Sequence, residues 1–192
     1  MGSNNDISLK ALAKINLGLD VVRRREDGYH EVRMIMQTIQ LYDRLDIKRT
    51  QEPGIQIQTN LSFLPVNENN LIYKAAKLLM DEFSITDGVS VKLDKRIPVA
   101  AGMAGGSTDA AAMLIGVNRL FSLGLTKREL MERGVQIGAD VPYCIMRGTA
   151  LAEGIGEALS PLPPMVKCPV LIAKPSISVS TKFVYQNLKL DD

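Results

Sequence analysis

Residues 98–114 read PVAAGMAGGSTDAAAML, and no other stretch narrows the available folds as much. Gly102, Gly105 and Gly106 permit positive φ and close approach, and from Ser107 to Phe121 the Ala, Met and Leu content is that of a buried helix, with Asp109 expected in its first turn. A glycine-rich turn that opens a helix aims several backbone N–H groups at one point, where the uncompensated first turn adds partial positive charge. Such a place binds anions, and Ser107 and Thr108 add hydroxyl donors where a phosphate oxygen would lie. The same small residues also let a helix pack tightly on a sheet, so the loop alone leaves both readings open. It matches neither GxxxxGK[ST] nor GxGxxG.

The flanking pattern supplies the sheet and further helices. A strand is expected over 7–22, where Ile15, Leu17 and Leu19 alternate with Asn16 and Gly18, and a second over 31–47, which alternates loosely through Val32, Met34 and Met36 and then Ile39 and Leu41. Ile55 and Ile57 mark a third, residues 88–93 a fourth, and 149–152 and 170–173 two more. Helices are expected from an Asn69 or Asn70 cap to about Ser84, from Thr126 to about Ile137, and over 180–188. With 192 residues, 46% of them hydrophobic, and no repeat or linker, the chain supports one sizeable core.

Charge and cysteine content remove several function classes. A net charge of +2 gives no reason to expect nucleic acid or an anionic membrane, which leaves small-molecule partners. No apolar run reaches the roughly 18 residues of a spanning helix, and the opening MGSNND lacks a secretory signal, so residues 1–6 read as a leader or tag remnant and the chain as cytoplasmic. Cys144, Cys168 and one histidine make neither a disulfide framework nor a zinc cluster.

Two further places carry chemistry. AKINLGLD puts Lys14 and Asn16 on one face of a strand; the lysine either reaches solvent at a sheet edge or pairs with a carboxylate in a site, where it would stabilise charge on an attacking oxygen. In IGADVPYC, Asp140 follows a helix end and precedes Pro142, where an Asx turn is the plain reading.

Taken together, AKINLGLD (13–20), DGYHEV (27–32), ENNLIYKAA (68–76), KRIPVAAGMAGGSTDAAAML (95–114), IGADVPYC (137–144) and GTALAEGIGE (148–157) resemble the GHMP small-molecule kinases. Within that family, AKINL with DGYHE resembles the branch acting on a cytidine diphosphate-linked methylerythritol in non-mevalonate isoprenoid biosynthesis. The resemblance implies an α+β two-layer sandwich, with a mixed, mostly antiparallel sheet and helices on one face. It implies phosphorylation of a free 2-hydroxyl by ATP with Mg²⁺, Asp140 as base and Lys14 as its partner. By the same carry-over, the ATP loop is Pro98, Val99, Ala100, Ala101, Gly102, Met103, Ala104, Gly105, Gly106, Ser107 and Thr108, with Asn70 and Lys95 near the adenosine. The cytidine would be held by Asn16, Tyr29, His30 and Tyr185.

Leu12 stands where that family usually has proline. The chain ends at LKLDD, whereas the family continues for roughly another hundred residues, a second domain by ordinary size. Residues 7–192 are therefore expected to be an N-terminal ATP-binding and catalytic domain without the family's C-terminal domain, its activity and oligomeric state left open. The alternatives are another GHMP kinase, or a nucleotide-binding protein on that scaffold that transfers nothing.

Overall fold

The structure, a computed structural model, describes residues 5–175 together with 183, 184, 187 and 188. Tyr185 and most of the helix expected over 180–188 lie outside the described residues.

The chain begins with a long hairpin, β1 (Asp6–Arg24) and β2 (His30–Thr50), paired antiparallel along its whole length. Its turn is closed by Arg25 N donating to Tyr29 O at 2.8 Å and Gly28 N to Arg25 O at 3.1 Å, with Gly28 at φ 84. The Asp27 carboxylate accepts from Tyr29 N at 3.1 Å, a bond that, with Arg25 beside it, holds that carboxyl below its ordinary range.

β2 is the spine of the sheet. On its other edge it pairs antiparallel with β4 (Gly88–Asp94) through Arg44–Thr50 and with β5 (Thr149–Glu153) through Met34–Gln37. β3 (Ile55–Thr59) adds parallel to β4, and β6 (Ala158–Pro161) antiparallel to β5. The result is a forked, mostly antiparallel sheet.

Four helices cover one face. α1 (Leu71–Glu82) connects β3 to β4, as a parallel pair requires, and its cap Asn70 accepts from Ile72 N at 2.9 Å. α2 (Gly105–Leu120) packs on α1 and lies across β1 and β2, burying Thr108–Leu114, Gly116 and Val117. It sits so low on the sheet that a Cβ at Gly116 would come within 2.4 Å of the Ile47 side chain. α3 (Lys127–Gly134) opens with a Thr126–Glu129 capping box, and α4 (Val141–Met146) packs against α2 and α3. On the opposite face one row is polar, with Ser8, Asp46, Lys92 and Gln58 in register across four strands. The architecture is α+β, with helices on one face of a mostly antiparallel sheet.

Four expectations need correction. α2 starts at Gly105 rather than Ser107, which moves Asp109 out of the first turn and into the buried middle. Residues 170–173 form no strand and Leu171 is 98% exposed, because no described strand lies beside them to receive their backbone groups. Pro142 masked α4, since proline reads as a helix stop yet is tolerated in a first turn. Leu17 and Leu19 do not face the core, which is entered from β1 by Ala11 and Ala13 before register shifts change the phase of the strand.

Candidate active site

The loop before α2 is built as an anion cradle. Ala100, Gly102 and Ala104 lie at φ 53, 70 and 55, and alternating left-handed residues turn successive N–H groups into one concavity. Holding two alanines there costs about 1–3 kcal/mol each, so the surroundings must impose it. Ala104 caps α2 without any side-chain hydrogen bond, and the first-turn N–H groups face outward unclaimed by a cap. Met103 anchors the loop by burying its side chain with Ala13, Ile39 and Ile97. Pro98, Val99 and Ala100 are exposed, and Ala101 is half-buried beside that anchor. Thr108 does not offer its hydroxyl to a ligand: Oγ1 donates to Leu12 O at 2.8 Å, tying the first turn of α2 to β1. Ser107 is the hydroxyl left at the mouth.

Lys14 is brought to this loop by the backbone. Its amide donates to Met103 O at 3.2 Å, and its side chain, 5% exposed, donates to Asn16 Oδ1 at 3.2 Å. Asn16 Nδ2 in turn approaches Met34 Sδ at 3.6 Å. Asp140 is the N-cap of α4. Its backbone lies at φ −82, ψ −13, so the side chain does not cap the helix, and the half-buried carboxylate makes no hydrogen bond among the described residues.

The two charges meet electrostatically at Cys144, one turn into α4. Burial pushes that thiol up to about 12; the Asp140 carboxylate adds to the rise and the Lys14 ammonium opposes it. Lys14 and Asp140 thus both act electrostatically on the buried Cys144 thiol. They do not form a direct ion pair; the ammonium is held by Asn16.

Lys95 occupies a different place from the one expected of a nucleotide contact. Its ammonium is buried under the cradle, bonded to Asp43 and to Asp109 Oδ2 (2.8 Å for the latter), close enough that a Cβ on Gly105 would come within 2.8 Å of Nζ. Asp43 also accepts from Arg96 N at 2.5 Å and Ile97 N at 2.7 Å, so the cluster fixes the start of the loop. One ammonium serves two carboxylates, and among the described residues Asp109 Oδ1 is left buried with no partner. Burial raises the Asp109 carboxyl well above its ordinary value, Lys95 pulls it back, and Asp43 adds to the rise. Sequence reading missed Asp43, although a carboxylate in phase with Ile39, Leu41, Leu45 and Ile47 signals a buried cation.

Asn70 stands at the start of α1, whose Leu71 side chain lies 3.3 Å from where a Gly106 Cβ would be; its amide is committed to Ile72 N and to Pro65 O at 2.7 Å. Tyr29 (61% exposed) and His30 stand at the hairpin end rather than beside Lys14. The ten residues from Lys14 to Arg24, the partner of His30, span at most roughly 30 Å at strand rise. Register shifts at Asn16/Gly18 and Val21/Arg23 bend the hairpin and shorten that path.

Comparison with known proteins follows the same regions. The family profile described as GHMP kinases N terminal domain matches residues 70–148. A protein of Lachnoclostridium phytofermentans called 4-diphosphocytidyl-2-C-methyl-D-erythritol kinase is 64% identical over 97% of this chain, and one of Lachnospira eligens with the same name is 63% identical over 97%. The chain spans 64% and 65% of those two proteins. A crystal structure of 4-(cytidine 5'-diphospho)-2C-methyl-D-erythritol kinase superimposes with a TM-score of 0.81 at 36% identity, over 95% of this chain and 65% of that one. Homoserine kinase from Cytophaga hutchinsonii, at 18% identity and a TM-score of 0.71, covers 100% of this chain and 62% of its own, and shares the fold.

Proposed function

The chain belongs to the GHMP kinases, and from that premise we propose that it serves ATP-dependent phosphorylation of the 2-hydroxyl of 4-diphosphocytidyl-2-C-methyl-D-erythritol, a step of non-mevalonate isoprenoid biosynthesis. The observation that carries the reading is the half-buried carboxylate of Asp140, which makes no hydrogen bond among the described residues, together with a buried lysine whose backbone is tied to the anion cradle.

Phosphoryl transfer needs positioning and charge neutralisation more than covalent chemistry. The outward N–H groups of Gly105, Gly106 and Ser107 would hold nucleotide phosphate oxygens in the field of the α2 N-terminus. Asp140 would accept the proton of the attacking hydroxyl, and an oxygen anion developing there would lie next to Lys14. Asn16 keeps the ammonium aimed across the site.

No group of three or more His, Cys, Asp or Glu side chains among the described residues could hold a metal by itself. Mg²⁺ would be carried mainly on nucleotide oxygens, with the Ser107 hydroxyl, half-buried in the first turn of α2, as a protein ligand that would hold it, and bound there it would neutralise phosphate charge. The cytosine would be taken by Tyr29, His30 and Asn16, with Tyr185 completing the pocket. Lys95 and the Asn70 amide serve as supports under the nucleotide site. Partners are thus small molecules; among the described residues no helix is long and apolar enough to cross a membrane.

Isothermal titration separates the two halves of this reading. The chain is expected to bind a non-hydrolysable ATP analogue and, independently, CDP. Tight binding of the analogue with no heat from CDP would reject the cytidine assignment and favour another acceptor.

A further inference from the structure

The hydroxyls of Tyr143 and Thr38 join α4, which Asp140 caps, to β2 at the strand partner of Lys14. Tyr143 is 1% exposed, three residues beyond Asp140 in α4. Its hydroxyl lies 2.7 Å from Gly148 O and 3.0 Å from Thr38 Oγ1. Gly148 N donates to Thr38 Oγ1 at 3.0 Å, and Thr38 N to Gly148 O at 3.0 Å.

Proton counting fixes the direction of every bond. Tyr143 has one proton, and the carbonyl of Gly148 can only accept, so Tyr143 donates there. Thr38, already accepting from Gly148, must donate its own proton to the Tyr143 oxygen. The three groups close a ring in which each bond polarises the next.

The ring's location matters more than its strength. Thr38 is the strand partner of Lys14, and the register shift between Leu12 and Lys14 falls at this point. The shift is visible as a change of phase in β2, where Met34 and Met36 face inward and then Ile39 and Leu45 do. Such bulges re-aim side chains. On the helix side, Arg147 leaves α4 at φ 63 and its guanidinium donates to Lys10 O at 3.0 Å, so the strained exit is also tied to β1. α4 has only six residues; its start is packed through Val141 against Gly134 and bonded from Val141 N to Gly138 O at 3.1 Å, and the side-chain ring adds the tie from its middle to β2.

Resting on the kinase reading above, we infer that the Tyr143–Thr38–Gly148 ring is a positioning device for phosphoryl transfer, locking α4 to β2 opposite Lys14 and so fixing Asp140 relative to the ammonium. Tyr143 and Thr38 touch no reacting atom in this role. They act through Asp140.

Two readouts test it, one needing no turnover. In the free chain, Tyr143→Phe and Thr38→Val should each speed hydrogen exchange at the Cys144 amide, the first bond of α4, roughly fivefold while leaving Leu130 in α3 within about twofold. In a coupled ADP-release assay, each should lower kcat on the order of tenfold to a hundredfold with both KM values little changed. The double variant should be no worse than either single one, because both break one ring. Thr38→Ser, which keeps the hydroxyl, should restore the rate. Unchanged exchange at Cys144, or faster exchange with wild-type kcat, overturns the proposal. A wild-type chain that releases no ADP counts against the kinase reading instead, and the exchange result then decides whether the ring holds α4.

Discussion

Asp43, Lys95 and Asp109 place two carboxylates on one buried ammonium, an arrangement that costs desolvation energy and leaves Asp109 Oδ1 unpartnered. Burial raises the Asp109 carboxyl well above 3.8, outweighing the pull of Lys95. The folded chain then keeps a proton that the unfolded chain gives up once pH passes about 3.8, so the contribution of this group to stability declines as pH rises from there until the folded carboxyl also ionises. Asp109→Asn keeps the shape and cannot ionise. Melting temperatures measured across that range should fall less steeply for the variant than for the wild type; equal slopes would place the effect elsewhere. A lysine on an apolar strand drew notice to Lys14 from its pattern alone, whereas Asp140 before a proline read as an Asx turn, and the paired role expected of the two came from the family resemblance. The ion pairs of Lys95 were not legible: its partners lie 52 and 14 residues away, and only the fold brings them together beneath the loop.

Among the elements, α2 and its loop are the most legible, because small residues, glycine positions and an apolar helix all agree over residues 98–120. The start was misjudged by two residues, since nothing local distinguishes Ala104 in a left-handed cap from a loop alanine. α4 was missed because its signal is tertiary: Val141 to Ile145 are buried by neighbours rather than patterned to form an isolated helix. Gly105 offers a test at this scale. Alanine there would meet Lys95 Nζ at 2.8 Å and Ile97 Cγ2 at 3.2 Å, from beneath the cradle rather than inside it. Gly105→Ala should cost about 1–3 kcal/mol of stability in chemical denaturation, by overpacking, and weaken the ATP analogue while leaving CDP affinity in place. Equal losses for both ligands would mean that the loop and the hairpin end are not separate subsites.

At the scale of the whole molecule, the long hairpin is the member that would carry both halves of the proposed site. Its middle meets the cradle through Lys14 and Met103, its partner strand carries Thr38 and Asp43, and its end carries Tyr29 and His30. Composition and pattern foretold one core and a sheet-rich first third. The fork of the sheet, with β4 and β5 sharing one edge of β2, was not legible, because it depends on which strands meet across sequence separations from 38 residues (Thr50–Gly88) to 118 (Met34–Ala152). That fork sets α2 and α4 side by side, and with them the cradle and Asp140. The deciding experiment is ADP release with 4-diphosphocytidyl-2-C-methyl-D-erythritol as acceptor, compared among the wild type, Asp140→Asn and Lys14→Met. Turnover should fall on the order of 10²–10⁴-fold in Asp140→Asn with ATP-analogue affinity retained, and Lys14→Met should fall with it; near-wild-type turnover in Asp140→Asn would contradict a site in which these two side chains act on one hydroxyl.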